Sequence, residues 1–471
     1  MHASDRPSQA ITRRRFLQGA VGAAAALPHS LAFAAEPRSR GQRPNFVYFM
    51  TDDQAWHAMS CAGSQIVQTP NMDRLAAEGV RFNNMFVTNS LCSPSRASFV
   101  TGLYSHTHGV RRNGVPLSRE HPVFTDYLRE AGYHTAFIGK WHMRGQAPPF
   151  DCWLGFAGQG NYTKPKVLDF DGNVVAESKH MTDCLGDRAV AYLRQHRQDP
   201  FCLLLWFKSP HRAWDPAERF KAALADVPIP EPPAFNDDYQ GRPEVIRKTE
   251  MQVEIAKQGK DFHGWLRDYY RTILGVDENM GRVLQTLDAL GLRDNTCVIH
   301  TSDNGFFLGE HHFFDKRLMY EPSIRIPMLM RHPQLIKRGG RQINQMCLNV
   351  DLAPTILDLA DLDVPQHMHG RSWLPLLKGR KPSWRKSWLY EYYEYPAVHM
   401  VAKHRGVRTK RWKYIHYFEA DEYELYDLQN DPHEVNNLYG DAKYDDVVKR
   451  LRADLLRLRR KTNDPDLEEE T

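Results

Sequence analysis

Cysteine is scarce in this chain. Seven occur among 471 residues, scattered at positions 61, 92, 152, 184, 202, 297 and 347. With no C-x-x-C pair among them, their spacing indicates neither a zinc site nor a disulfide framework. A dominant charge is missing too: 62 Lys+Arg against 57 Asp+Glu leave +5. That excess is too small to argue for nucleic acid, yet it tolerates an anionic substrate. No internal repeat is found, which sets repeat architectures aside. Beyond the N-terminal leader no apolar run is long enough to span a bilayer. What is present is an ordinary globular composition, 42% hydrophobic and 25% charged. The length suits two to three domains, or one large α/β domain with an appendage.

The leader has its own pattern. Thr12-Arg13-Arg14-Arg15-Phe16-Leu17 precedes a small, apolar run, Gly19–Leu27, and Ala32-Phe33-Ala34 offers a small-x-small cleavage site. Adjacent arginines before a weakly hydrophobic stretch resemble a twin-arginine export signal over residues 1–35. Cleavage near Ala34 or Ala35 would leave a mature chain with no membrane span. The twin-arginine machinery would carry it, folded, to a bacterial periplasm or the exterior.

Chemistry gathers in Asn89–Gly102, N-S-L-C-S-P-S-R-A-S-F-V-T-G. A proline sets a turn from which a helix can start. A nucleophile at a helix N-terminus meets free backbone N–H groups and a positive dipole end, which suits an anion. Read alone, Cys92 could equally be a buried cysteine beside a cap. Elsewhere, apolar β-prone runs repeatedly end in polar groups. Phe46–Met50 leads to Asp52 and Asp53, His134–Ile138 to Gly139-Lys140-Trp141-His142, Phe201–Phe207 to Lys208-Ser209-Pro210-His211, and Cys297–His300 to Asp303 and Asn304. In open α/β sheets ligands collect at the carboxyl ends of strands. An Asp-Asp pair alone reads as readily as a solvated turn, but four hard oxygen ligands from two strand ends favour a cation site. Gly264–Leu290, with apolar residues at three- and four-residue steps, predicts a long core-facing helix.

The C-x-P-S-R run with T-G beyond it, the G-K-W-H block, Lys316 ahead of Tyr320-Glu321…Arg325-Ile326-Pro327, Asp351-Leu352-Ala353-Pro354-Thr355 and Asp427–Pro432 together resemble the type I, formylglycine-dependent sulfatases. The likeness runs from about Arg43 to Leu438. It implies an alkaline-phosphatase-like α/β fold: a large mixed, mostly parallel sheet between helices, and a smaller C-terminal α+β part with an antiparallel sheet. It implies that Cys92 is oxidised to formylglycine by a formylglycine-generating enzyme. The hydrated aldehyde would attack sulfur and form a covalent sulfate ester. One Ca²⁺ would be held by Asp52, Asp53, Asp303 and Asn304, with the residue at 92 nearby or as a further ligand. Arg96, Lys140, Lys316 and His211 would meet the sulfuryl oxygens. His211 would serve as the acid for the leaving alcohol and His142 as the base that releases sulfate. The substrate implied is a sulfated small molecule or glycan, more in keeping with carbohydrates than aryl esters. A phosphonate monoester or phosphodiester hydrolase of the same superfamily is the alternative enzyme, and a glycan-binding pseudoenzyme is a third reading.

A basic, proline-containing break at Lys378–Lys386 divides a catalytic region, 43–377, from a C-terminal one, 387–460. Four short aromatic and β-branched runs beyond the break predict an antiparallel sheet, and Asp441–Arg459 a helix. The acidic tail, 461–471, is expected to be disordered. Tyr390–Tyr395, His399 and His404 are candidates to line a substrate cleft, or mere sheet packing. His311 and His312 are expected near the pocket.

Overall fold

The computed structural model describes residues 43–145, 147–169, 173–176, 178–252 and 261–470. The leader expected over 1–35 lies outside these residues. Residues 42–471 form one compact unit. Its frame is a ten-stranded sheet built from β1 (Asn45–Thr51), β2 (Val80–Phe82), β3 (His134–Gly139), β4 (Cys152–Gly155), β5 (Lys166–Leu168), β6 (Val174–Ala176), β7 (Phe201–Trp206), β8 (Thr296–Ser302), β9 (Met328–Arg331) and β10 (Arg341–Ile343). Across the sheet the order is β10-β2-β9-β8-β1-β7-β3-β4-β5-β6. The five central strands, β8 to β4, run parallel, while β9, β5 and β6 pair antiparallel with their neighbours. The mixed, mostly parallel sheet expected from the sequence is therefore present.

The sequence explains this centre. Every residue of β1 and β7 is buried, because a strand covered by helices on both faces must be apolar throughout. Helices α1 (Pro70–Glu78), α2 (Cys92–Thr101), α3 (Phe124–Glu130), α4 (Met181–Gln195), α5 (Phe262–Ala289), α6 (Leu352–Leu359) and α7 (Asp445–Lys461) supply the cover. Asp261 caps α5 by accepting from the Gly264 N–H. The α5 stripe of Tyr269, Ile273, Val276, Met280, Val283 and Leu287 is fully buried with α4 residues and one face of the sheet. Each such aliphatic side chain contributes about 2 kcal/mol by leaving water.

The C-terminal sheet follows the chain: β11 (Ser387–Tyr392), β12 (His404–Thr409), β13 (Trp412–Tyr417) and β14 (Glu422–Asp427), all antiparallel. Trp388, Tyr390 and Tyr392 share one core with Phe86, Leu91, Tyr104 and Tyr320 of the larger region. The Tyr320–Ser323 block acts as a joint. Glu321 meets Arg408 and Lys413 of the C-terminal sheet at 3.2 and 3.1 Å. Within the acidic stretch expected to be disordered, two described aspartates pair with arginines. Asp464 accepts from Arg459 at 2.5 Å and Asp466 pairs with Arg111 at 3.0 Å. Acidic residues that find arginines on packed elements gain order that composition alone does not show.

A buried ion pair closes this region onto the large one. His106 Nδ1 lies 2.6 Å from Glu391 Oε2, and its Nε2 donates to the Thr462 carbonyl at 3.0 Å. Both ring nitrogens thus face acceptors, which requires the imidazolium. Burial works against that charge, but Glu391 outweighs it and raises the His106 pKa. Burial likewise opposes the Glu391 carboxylate, yet His106 brings its pKa down to about 2. The glutamate's contribution to stability is present above its ordinary 4.5 and is lost as pH falls toward 2. The histidine's is present below its ordinary 6.5 and is lost as pH rises through the higher folded value. Glu391→Ala is therefore expected to cost about 3 kcal/mol in urea unfolding. The loss should be greatest between about pH 4.5 and 6.5 and shrink on either side.

Candidate active site

The carboxyl ends of β1, β8, β3 and β7 converge on the first turn of α2, and the sequence-derived candidates meet there. Asp52 and Asp53 follow β1 directly, and Asp303 and Asn304 follow β8. The backbone stitches the two turns together. Asp303 N–H donates to the Thr51 carbonyl at 3.0 Å, and Asp53 N–H to Asp303 Oδ1 at 3.1 Å. Cys92 is the first residue of α2, a helix buried along its whole length. Its Sγ lies 3.5 Å from Asp52 Oδ1 and 3.7 Å from Asn304 Nδ2. Burial raises the thiol's pKa well above its ordinary value.

Three buried carboxylates stand against three buried cations. Arg96 donates through Nε to Asp303 Oδ2 at 2.9 Å, reaches Asp52 Oδ2 with Nη2 at 3.3 Å, and donates Nη1 to the Lys140 carbonyl. Its planar fork spans two acids, a task lysine cannot do. Lys140 Nζ donates to Asp52 Oδ2 and, at 2.5 Å, to Gln159 Oε1. Lys316 Nζ donates to Asp53 Oδ2 at 2.6 Å. Burial raises the Asp52 pKa, but Lys140, His211 and Arg96 overcome it and hold the group well below the carboxylate range. For Asp53 the balance reverses: burial, with Asp52 and Asp303 behind it, pushes the carboxyl up to about 7 against Lys316.

The two histidines enter from different strands. His211 Nδ1 donates to the Arg212 carbonyl at 2.5 Å, which turns its bare Nε2 toward Asp53 Oδ2, 3.7 Å away. His142 leaves the end of β3 in a left-handed conformation, φ 65°. The carbonyl of Gln159 is taken by Lys140, so its amide must donate to His142 Nε2 at 3.3 Å. Burial, with Lys140 beside it, brings His142 down to about 2. Lys140 is placed by Gly139: a Cβ there would lie 1.8 Å from the Trp206 carbonyl oxygen, so only glycine lets β3 pass β7 this closely.

Oxygens of Asp52, Asp53 and Asp303 lie within 4.8 Å of one another. The Oδ1 of Asn304 is buried without any hydrogen-bond partner. A buried amide oxygen without a donor, beside clustered carboxylates, fits a hard divalent cation such as Ca²⁺. Three acids and three bases sum to no net charge. A divalent cation added to them leaves the pocket positive, which favours an anion.

Some residues were passed over in the sequence. Gln159 sits in a loop after β4 with no motif around it. Lys208 does stand in the Lys208-Ser209-Pro210-His211 run at the end of β7, and that position was a signal. It is buried, its Nζ lies 4.6 Å from the Tyr162 ring centre, and burial with Lys140 brings it down to about 8. Other candidates fall elsewhere. Tyr390, Tyr392 and His404 are buried in the C-terminal sheet, with His404 stacked on Tyr390 at 5.5 Å. These are packing, as alternating strand residues on a covered face must be. His311 pairs with Asp237 at 2.7 Å, tying the 228–243 loop inward, and His312 lies against Phe235. His399 lies 3.0 Å from Asp315 Oδ2 next to Lys316, and the Tyr390 and Tyr392 hydroxyls reach Arg317, the residue after Lys316, at 2.6 and 3.0 Å. A second link runs from Ser93 N–H to Asn113 Oδ1 (3.0 Å), and from Asn113 N–H to Glu394 Oε1 (3.1 Å). The C-terminal region thus supplies one wall.

Comparison with known proteins gives consistent matches. The family model described as Sulfatase matches residues 44–362, and that of the C-terminal region of N-sulphoglucosamine sulphohydrolase matches 309–461. The N-acetylglucosamine-6-O-sulfatase of Bacteroides thetaiotaomicron is 39% identical over 93% of this chain and 91% of its own length. A solved complex with the substrate D-glucosamine-2-N,6-O-disulfate superposes with a TM-score of 0.87 at 37% identity, covering 91% of this chain and 100% of that one. The phosphonate monoester hydrolase of Agrobacterium radiobacter shares the fold, with a TM-score of 0.75, 23% identity and coverage of 89% and 96%.

Asn304→Ala removes the one neutral oxygen of the cluster and leaves every ion pair in place. It is expected to weaken Ca²⁺ binding at least about tenfold in isothermal titration, with an unchanged circular dichroism spectrum.

Proposed function

This chain belongs to the sulfatase family and hydrolyses sulfate esters, and on that premise we propose that its substrate is a 6-O-sulfated amino sugar of the N-acetylglucosamine type. The observation that carries the choice of sugar is the 39% identity, over 93% of the chain, to an N-acetylglucosamine-6-O-sulfatase. The alternative phosphonate or phosphodiester reading rests on a shared fold at 23% identity.

Formylglycine made from Cys92 would supply a hydrated-aldehyde hydroxyl as nucleophile, and a Ca²⁺ on Asp52, Asp53, Asp303 and Asn304 would draw charge from the sulfuryl oxygens. The chain's own groups do the rest. Lys140 and Lys316 hold Asp52 and Asp53 through their Nζ atoms, and a bound sulfate would draw them away. They add fixed positive charge where negative charge develops. Arg96 keeps Asp52 and Asp303 in register rather than reaching the substrate. His211 Nε2 faces the cluster and can carry the proton that the departing alcohol needs. His142 Nε2 accepts a proton once Gln159 swings away. The wall bearing His399 and Glu394 offers polar groups to sugar hydroxyls. A leader of the twin-arginine type would deliver the enzyme to the periplasm or beyond, where sulfated glycans are met.

Sulfate release from N-acetylglucosamine 6-sulfate, set against 2-O-sulfated and aryl sulfates and an aryl phosphodiester, tests this reading. The 6-sulfate should give the highest kcat/KM, and a preference for the phosphodiester would overturn the assignment. Peptide mass should show Cys92 lighter by about 18 Da in active protein, and Cys92→Ala should abolish turnover. Lys140→Ala should lower kcat by about 100- to 1000-fold.

A further inference from the structure

The opposite end of the sheet holds a second cluster, distinct from the catalytic one and independent of the reading above. His134 opens β3, Cys152 opens β4 and His196 follows the last turn of α4. They are 18 and 44 residues apart in sequence, which is why no spacing motif announces them. A ring nitrogen of each histidine and Cys152 Sγ lie within 4.8 Å of one another. The two imidazoles are stacked with centres 3.8 Å apart. Six residues of strand separate this cluster from the carboxylates, about 20 Å.

The hydrogen bonds around the histidines fix their tautomers. The Tyr192 hydroxyl gives its single proton to the His134 carbonyl at 3.1 Å. His134 Nδ1, 3.0 Å from the same oxygen, must therefore be the donor, which leaves Nε2 with its lone pair. His196 Nδ1 faces Asp199 Oδ2 at 3.4 Å, so it too carries the proton. His196 Nε2 is buried and has no hydrogen-bond partner at all. Two neutral imidazoles, each with Nδ1–H on an oxygen and Nε2 bare, are how proteins present histidine to a metal. A cavity of about 250 Å³ lined by Cys152, Tyr192, Gln195 and Leu154 opens beside the cluster and gives access.

We propose that His134, Cys152 and His196 bind a transition-metal ion of borderline softness, Zn²⁺ or its analogue Co²⁺, in a three-ligand site with one position open to water. Nitrogen and thiolate are the donors such ions prefer, whereas Ca²⁺ needs the oxygens of the other site. Bonds of about 2.1 Å to nitrogen and 2.3 Å to sulfur place tetrahedral ligands about 3.5 Å apart, so binding requires the stacked rings to swing until both Nε2 lone pairs converge on the ion. On binding, Cys152 loses its proton to solvent and becomes the thiolate ligand. The ion would clamp β3, β4 and α4 together without touching the reacting groups.

The test is Co²⁺ titration of the full-length protein carrying Cys92→Ser, in excess Ca²⁺, so that neither the active-site thiol nor the carboxylate cluster competes. One Co²⁺ per chain with a thiolate-to-cobalt charge-transfer band is expected. Cys152→Ser should abolish the band. His196→Gln should weaken binding at least about tenfold, and Asp199→Asn about tenfold, with circular dichroism confirming that each variant folds. A protein that shows no such band, or a band that survives Cys152→Ser, would overturn the proposal. Should Cys152→Ser fold poorly, unchanged Co²⁺ affinity in both His196→Gln and Asp199→Asn overturns it equally.

Discussion

Three carboxylates excluded from water within a few ångströms of one another are the constraint on which this molecule depends. Left alone, Asp52, Asp53 and Asp303 would repel one another in a medium that stabilises charge poorly. Arg96, Lys140 and Lys316, equally buried, compensate them. Removing a partner from such a set leaves an uncompensated charge, which costs more than the pair itself is worth. The same balance suits function, since it is poised to be tipped positive by a single divalent ion.

The fold serves that cluster by bringing strand ends to one place. Parallel neighbours must all finish on the same edge, so β1, β7, β8 and β3 deliver their polar successors together. Their middles are mostly apolar because both faces are covered, although β8 also buries His300 and Thr301. Behind the site, Asn349 donates to Ser95 Oγ at 3.2 Å, and Ser95 donates to the Asp303 carbonyl at 2.6 Å. The Asp351-Leu352-Ala353-Pro354-Thr355 block that follows Asn349 is therefore a support for α2 rather than part of the chemistry.

Much of this was legible in the sequence. The runs of Phe46–Met50 and Phe201–Phe207 declared buried strands, and polar residues directly after them declared a strand-end site. Residues whose role is set by contacts across the fold were not legible. Gln159 gains meaning only because a loop brings its amide between Lys140 and His142. His134, Cys152 and His196 sit on three separate elements, and absence of a C-x-x-C pair said nothing about them. Tyr390, Tyr392 and His404 could be read as cleft lining or as sheet packing, because aromatic richness is shared by clefts and by covered sheets. Which of the two applies depends on what lies over the strand, here Phe86, Leu91 and Tyr104.

The complete burial of α2 sets a clock. Cys92 is only 1% exposed in the folded chain, walled by strand ends and sealed from the C-terminal side through Ser93, Asn113 and Glu394. The oxidation proposed for Cys92 would need access to this side chain, which the folded chain does not give. The seal needs residues that leave the ribosome long after Cys92: Glu394, and then Thr462 on His106. Roughly 370 residues separate Cys92 from Thr462, about 20 to 70 s of synthesis at about 5–20 residues per second. The oxidation proposed for Cys92 would have to compete with folding inside that interval, and a chain that closed first would keep an ordinary cysteine.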